Sequence, residues 1–249
     1  MQDFDAARLA GMLRLQQRDG IGTLRERSLH AVFKFWVDAD ETHHEQRVGR
    51  LVADVFDGER ITEIQTRGFY ALNKKLERLL PDWDVTVVYP VTRHKRLFWV
   101  QPDSGETTPP RKSPKTGKLL DAFGELRWIA ERIGHPHLTV VLVMVDTDDY
   151  RLLDGWSRDG KKGSHRLERI PTAVGETCTL RTAADYARLL PETLPSPFTT
   201  ADVARCGHVT RQQAGFIVNT MYKIGLIQRI GKRGNAYLYE IPIEMIPAD

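Results

Sequence analysis

The chain has 249 residues, of which 41% are apolar and 28% charged, with a formal net charge of +3. This is the composition of an ordinary globular protein with room for two domains, and it excludes a polycation, so any nucleic-acid surface has to come from local clustering. Cys178 and Cys206 sit in no metal-binding spacing, and there is neither an apolar run of membrane-spanning length nor a signal-peptide core at the N-terminus; a zinc module and a disulfide scaffold are thereby excluded, and a cytoplasmic protein without membrane contact is expected.

In residues 1–20, Leu9, Met12, Leu13 and Gln16 recur at helical spacing until Asp19-Gly20 breaks the pattern. We expect a helical extension there, without chemistry. Thr23-Leu24-Arg25-Glu26 matches a capping box and opens a helix to about Val37, with Leu29, Val32, Phe33 and Trp36 on its packing face. Glu26 is either the cap residue or an acid available to a site. His43 and His44 read as exposed loop, and Glu45 stands at the entry to the first strand.

Leu51 to Phe56 and Ile61 to Gln65 read as two strands joined through Asp57-Gly58-Glu59. Counting outward from a two-residue turn at Gly58-Glu59 places Asp54 opposite Glu63, with Gln65 on the same face. Facing carboxylates destabilise a sheet. A hard divalent cation compensates them, since Mg²⁺ is held by one or two carboxylates with water and phosphate completing its shell. A solvated hairpin face is the plainer alternative.

Phe69 to Leu80 is an amphipathic helix with Leu72, Leu76, Leu79 and Leu80 inward and Lys74 and Lys75 on or beside its polar face; Pro81-Asp82 ends it. Val85 to Pro90 fits a buried central strand. Arg93 to Arg96 reads as a basic turn before a further strand, Leu97 to Val100. Residues 102–118 are loop-like, proline-rich and basic, carrying Arg111, Lys112 and Lys115. Leu119 to Ile133 reads as a helix and Leu138 to Val145 as an internal strand, closed by Asp146-Thr147-Asp148-Asp149. Between Gly155 and Arg166, Arg158, Lys161, Lys162 and Arg166 supply cations suited to phosphate, and Trp156 is suited to stacking on a base.

Pro191, Pro195 and Pro197 mark a linker. Beyond it lie a short helix, Phe198 to Arg205, a turn, and a helix from the Thr210-Arg211-Gln212-Gln213 capping box to about Ile224. A hairpin of Leu226–Ile230 and Ala236–Ile241 follows, turning around 231–235. Ala214, Ile217, Val218, Met221 and Ile224 form the second helix's inner stripe, while Arg211, Gln212, Asn219 and Lys223 point outward.

An acid in one strand followed by Glu63-x-Gln65 in the next, inside the order helix, three strands, helix, strand, resembles the PD-(D/E)XK nuclease superfamily over about Gly22 to Val100. The stretch from Gly22 onward also looks like a family of uncharacterised bacterial proteins. The first resemblance implies an α/β fold, a restriction-endonuclease-like mixed sheet flanked by helices, over residues 21–190. It further implies Mg²⁺ or Mn²⁺ held by Asp54 and Glu63, with Glu26 or Glu45 contributing. Gln65 stands where the motif has lysine, and Lys74 or Lys75 can replace that cation. The helix, turn, helix and basic hairpin of residues 195–243 resemble a winged helix, which implies DNA contact by Arg211, Lys223, Lys232 and Arg233; dimerisation or protein contact is the other known use of that fold. Together these readings lead us to expect a metal-dependent endonuclease on duplex or branched DNA, in repair, recombination or defence. The alternative is a DNA-binding regulator that has lost catalysis.

Overall fold

The structure is a computed structural model and describes residues 1–18, 28–156 and 162–242. It is an α/β protein with a large mixed sheet flanked by helices. In chain order come helices α1 (Phe4–Arg18) and α2 (Ser28–Val37), then strands β1 (His44–Val48), β2 (Leu51–Phe56) and β3 (Arg60–Ile64). Helix α3 (Phe69–Leu79) follows, then β4 (Asp84–Val100), the short β5 (Arg111–Lys112), α4 (Phe123–Leu126), β6 (Leu138–Trp156) and β7 (Lys162–Leu180). The C-terminal part holds α5 (Thr200–Cys206), α6 (Arg211–Lys223), β8 (Gln228–Arg233) and β9 (Ala236–Glu240). Among the described residues one sheet has the strand order β1-β2-β3-β4-β6-β7, with β5 beside β4, and β8 and β9 form a second. The chain divides into two compact units, one of residues 1–57, 90–118 and 143–177, the other of residues 58–89, 119–142 and 178–249.

In the first unit, α2 presents Leu29, Val32, Phe33 and Trp36 to the interior, as its periodicity predicts. Helix α1 packs on it, but not through the leucine stripe: Leu9 and Leu13 are exposed, and Ala7 is buried. Gly11 decides the geometry, because a Cβ there would meet the Val32 backbone at 2.8 Å. The helices therefore approach through small residues. Glu168 accepts the Ser28 backbone N–H at 3.3 Å and so satisfies one of the orphan donors at the start of α2.

Three expectations are corrected in this unit. Arg93 to Arg96 is not a turn, and Leu97 to Val100 is not a separate strand; β4 runs unbroken to Val100. Likewise Asp146, Asp148 and Asp149 do not close a strand but lie inside β6. One cause accounts for all three. Arg93 binds Asp146 through Nε and Nη2 at 3.0 and 2.8 Å, and Arg96 binds Asp148 through the same two atoms at 2.7 Å each. Arg169 of β7 binds Asp149 at 2.7 and 2.9 Å. These two-pronged bonds neutralise charges that would otherwise break a ladder. Gly175 is part of the device, since a Cβ there would come within 2.9 Å of an Arg93 guanidinium nitrogen.

In the second unit, β3 and β4 pair in parallel, with Glu63 level with Val87 and Ile64 with Val88. Leu72, Leu76, Leu79 and Leu80 of the α3 segment are buried as expected. Glu125 accepts the Phe69 N–H at 2.9 Å and caps α3 from outside. The expected helix over 119–133 is broken into short turns around α4. Tertiary partners hold this segment: Arg127 donates back to the Gly124 carbonyl at 2.9 Å and lies 3.9 Å from the Phe216 ring centre. Helices α5 and α6 both begin in complete capping boxes, Thr199 with Asp202 and Thr210 with Gln213. Strand β8 starts later than expected but runs on toward the turn, while antiparallel β9 ends at Glu240, so Lys232 and Arg233 lie on β8 opposite Tyr237 and Ala236, and the turn is Gly234-Asn235.

Asp149 is fully buried. Burial pushes its carboxyl up, but Arg169, Arg166 and Lys95 outweigh that and hold it below the usual carboxylate range. Its contribution to stability is therefore present above the ordinary carboxylate pKa and is lost as pH falls through the lower folded value. Arg169→Met should cost about 3 kcal/mol at neutral pH, the cost of stranding one partner of a buried pair. Urea unfolding should show that loss, with a flatter acid limb than in the parent protein.

Candidate functional site

Asp54 lies on β2 with its side chain 21% exposed, and His30 Nε2 of α2 stands 3.2 Å from Oδ2. The antiparallel β1–β2 register pairs His44 with Val55 and Gln46 with Ala53, which puts Glu45 level with Asp54 on the neighbouring strand. Glu45 has a left-handed backbone, φ +53°, and its Oε1 accepts from Lys34 Nζ at 3.1 Å. Two carboxylates on adjacent strands are thus met by two side chains one helical turn apart on α2. Sequence reasoning missed both His30 and Lys34. The available signal was Lys34 itself, only 4% exposed within an apolar helix, since a buried lysine needs an anionic partner. His44, expected in an exposed loop, is buried with Nε2 2.9 Å from the Asp38 carbonyl; burial pushes its pKa down. His43 bonds Asp38 at 2.7 Å, which raises its pKa. Each imidazole therefore serves its own turn.

In the second unit Glu63 lies on β3, only 2% exposed, and Lys75 of α3 places Nζ 2.5 Å from its Oε2. Lys74 is exposed and stands 5.7 Å from the Tyr70 ring centre. Gln65, just past β3, donates its side-chain amide to the Arg67 carbonyl and so braces the loop into α3. Glu26, Arg158 and Lys161 lie outside the described residues, as do the side chains of Trp156 and Lys162.

Of the expected DNA-contacting residues, Arg111 and Lys112 lie on β5, where Lys112 is level with Arg96, and both are exposed, as is Lys115. Arg166 is exposed and approaches Asp149 at 3.6 Å. Arg211, Lys223, Lys232 and Arg233 are exposed on α6 and β8, and the α6 inner stripe is buried apart from the half-buried Ile224. Another face of α6 is occupied: Gln213 donates to Asp121 at 2.8 Å, and Phe216 carries the Arg127 guanidinium. On the hairpin, Arg229 lies 4.4 Å from the Tyr222 ring centre and 4.3 Å from that of Tyr237, a cluster that sequence reading passed over.

A family model described as a domain of unknown function (DUF8091) matches residues 27–181. The chain belongs to that family. An uncharacterized protein of Treponema pallidum (strain Nichols) is 29% identical over 221 residues, covering 88% of this chain and 86% of that protein. No solved structure matches the chain. The family segment contains Asp54, Glu45, Glu63 and Lys75 and ends before the Phe198 bridge to Tyr239 that joins the C-terminal hairpin. No helix among the described residues is long and apolar enough to cross a membrane.

Lys75 is the partner on which the buried Glu63 carboxylate leans. Lys75→Ala should lower stability by about 3 kcal/mol, and Lys75→Arg should keep most of it, because a cation stays within reach. Chemical denaturation of the three proteins side by side checks this.

Proposed function

We propose that the chain is a metal-dependent DNA endonuclease of the PD-(D/E)XK type, with a winged-helix-type DNA-binding module in residues 195–243. The observation that carries the reading is the Lys75–Glu63 pair. A lysine on the helix after the motif strand reaches the motif acid, which supplies the cation that Gln65 lacks. The order α2, β1, β2, β3, α3, β4 with β3 and β4 parallel supports it, as does the helix pair followed by a basic hairpin.

The donors suit a hard divalent ion, since they are carboxylates with no thiolate among them. Among the described residues no group of three or more His, Cys, Asp and Glu is placed to hold an ion. The donors proposed are therefore the two motif acids, Asp54 and Glu63, with water and substrate oxygens filling the shell that Mg²⁺ or Mn²⁺ takes. Such an ion, when bound, lowers the pKa of its water and neutralises charge at the scissile phosphate. The protein's own part is positional. His30 and Lys34 fix the Asp54 and Glu45 carboxylates. Lys75 fixes Glu63 and holds positive charge at the reacting phosphate.

A second reading is a DNA-binding regulator with a silent nuclease-like domain. The observation favouring it is Gln65, whose amide is engaged by the Arg67 carbonyl. The two separate on plasmid nicking with Mg²⁺, Mn²⁺ or EDTA. The endonuclease should cut with either metal and not in EDTA. Asp54→Ala should abolish cutting and leave DNA binding equal or tighter, because a charge that repels phosphate is gone. Lys75→Met should lower kcat by about 10²-fold with KM little changed; Gln65→Ala should cost less. Wild-type protein that binds duplex, branched and single-stranded DNA but cuts none of them establishes the regulator instead. Asp54→Ala cutting like wild type removes Asp54 from the site.

A further inference from the structure

One face of the C-terminal hairpin gathers rings and cations. Arg229 lies opposite Tyr239 and Lys232 opposite Tyr237, with a register shift between Arg229 and Gly231. The extra residue on β8 absorbs the odd spacing, so strand alternation turns all four side chains to the same side. Tyr222 of α6 joins them from the helix. Tyr239 is buried, its ring centre 6.1 Å from that of Phe198 and 6.4 Å from that of Tyr222, and it anchors the group. Arg229 bonds to Tyr239, and its guanidinium lies 4.4 Å from the Tyr222 ring centre and 4.3 Å from that of Tyr237. Lys232 Nζ stands 4.9 Å from the Tyr237 ring centre. With these cations in place Tyr222 is still 41% exposed and Tyr237 42%. The charge around them is of one sign. Between Asp202 and Glu240 the sequence holds six arginines and lysines and no acid. The two flanking acids are engaged, Asp202 by Thr199 and Arg205 at 2.8 and 2.7 Å, and Glu240 by Gln228 at 2.8 Å. Among the described residues no carboxylate stands at ion-pair distance from Arg229 or Lys232.

We propose that this face is a stacking platform for the unpaired bases of a DNA strand. Tyr222 and Tyr237 offer rings, Arg229 offers its guanidinium plane, and Lys232 meets the backbone. An apolar partner would cover the rings and strand the cations. A duplex would satisfy the cations, but its base faces are already stacked on one another. A strand with unstacked bases uses both, a π-face for each ring and a phosphate for each cation. The Arg229 guanidinium is held by Tyr239 before any ligand arrives, so little of its freedom is lost on binding. The platform rests on the DNA-binding part of the proposed function and not on cleavage.

The test is fluorescence anisotropy of a labelled oligothymidylate with full-length protein in EDTA, which removes any cutting from the readout. Tyr237→Ala should weaken binding about tenfold and leave the salt slope unchanged, because no phosphate contact is lost; Tyr222→Ala should act in the same direction. Tyr237→Phe should keep the affinity, since the ring remains. Lys232→Gln should instead reduce the salt slope by about 0.7, one phosphate's worth of released counterions on a single strand. A strand of abasic sites should bind the parent protein as weakly as oligothymidylate binds Tyr237→Ala, and should not sense that substitution. Circular dichroism and thermal melting establish that each variant is folded. Unchanged single-strand affinity in the Tyr222→Ala, Tyr237→Ala double variant overturns the platform, as does an equal loss on the abasic strand. A dimer in sedimentation velocity that Tyr237→Ala dissolves also overturns it, marking the face as a contact between copies. Parent protein that binds duplex but not oligothymidylate removes the platform and leaves the winged-helix reading standing, and binding of neither removes both. Ring-dependent binding without cutting in the plasmid assay upholds the platform and removes only the nuclease.

Discussion

The long strands of the first unit depend on matching arginine to aspartate. Strands β4, β6 and β7 are 17, 19 and 19 residues long, well beyond the usual five or six. Apolar burial sustains them only in part. At Arg93, Arg96, Asp146, Asp148 and Asp149 the sequence turns polar, and there each carboxylate accepts two bonds from one guanidinium. A planar fork meets a planar carboxylate in fixed geometry, so these pairs define register as well as neutralise charge. Lysine in place of either β4 arginine would keep the charge and give up the geometry.

This dependence decides what could be read from the sequence. Helix α2, the strand pair around Gly58, α3, and the two capping boxes at Thr199 and Thr210 are local signals: periodicity, a turn residue, a hydroxyl three residues before its partner. They were legible because each is contained within a dozen residues. The β4 and β6 extensions were not, since Arg93 and Asp146 are 53 residues apart and alone resemble a basic turn and an acidic loop end. The same limit broke the expected helix at 119–133, whose Glu125 caps Phe69 and whose Arg127 lies on Phe216 while bonding back to Gly124.

The candidate site shows the same division. Asp54 and Glu63 could be picked out because acids inside apolar strands demand a reason. Lys75 was visible as a cation on the right helix, though its engagement with Glu63 depends on how α3 sits over β3. His30 and Lys34 went unread because a helix packed on a sheet is ordinarily scored for its apolar face. A histidine and a lysine four apart on such a face have to meet something anionic beneath them, and β1 and β2 supply it.

The contact at Gly11 bears on where this protein can be divided. The family match starts at residue 27, yet α2 is covered by α1 through backbone closeness that only a residue without Cβ permits. Residues 27–181 taken alone would bare Ala31 and Val32 to water, the side of α2 that the N-terminal helix shields. Any attempt to shorten the protein to its family segment would trade a dry helix–helix seam for an adhesive surface, so aggregation of such a fragment would report a missing cover rather than a failure of the sheet to fold.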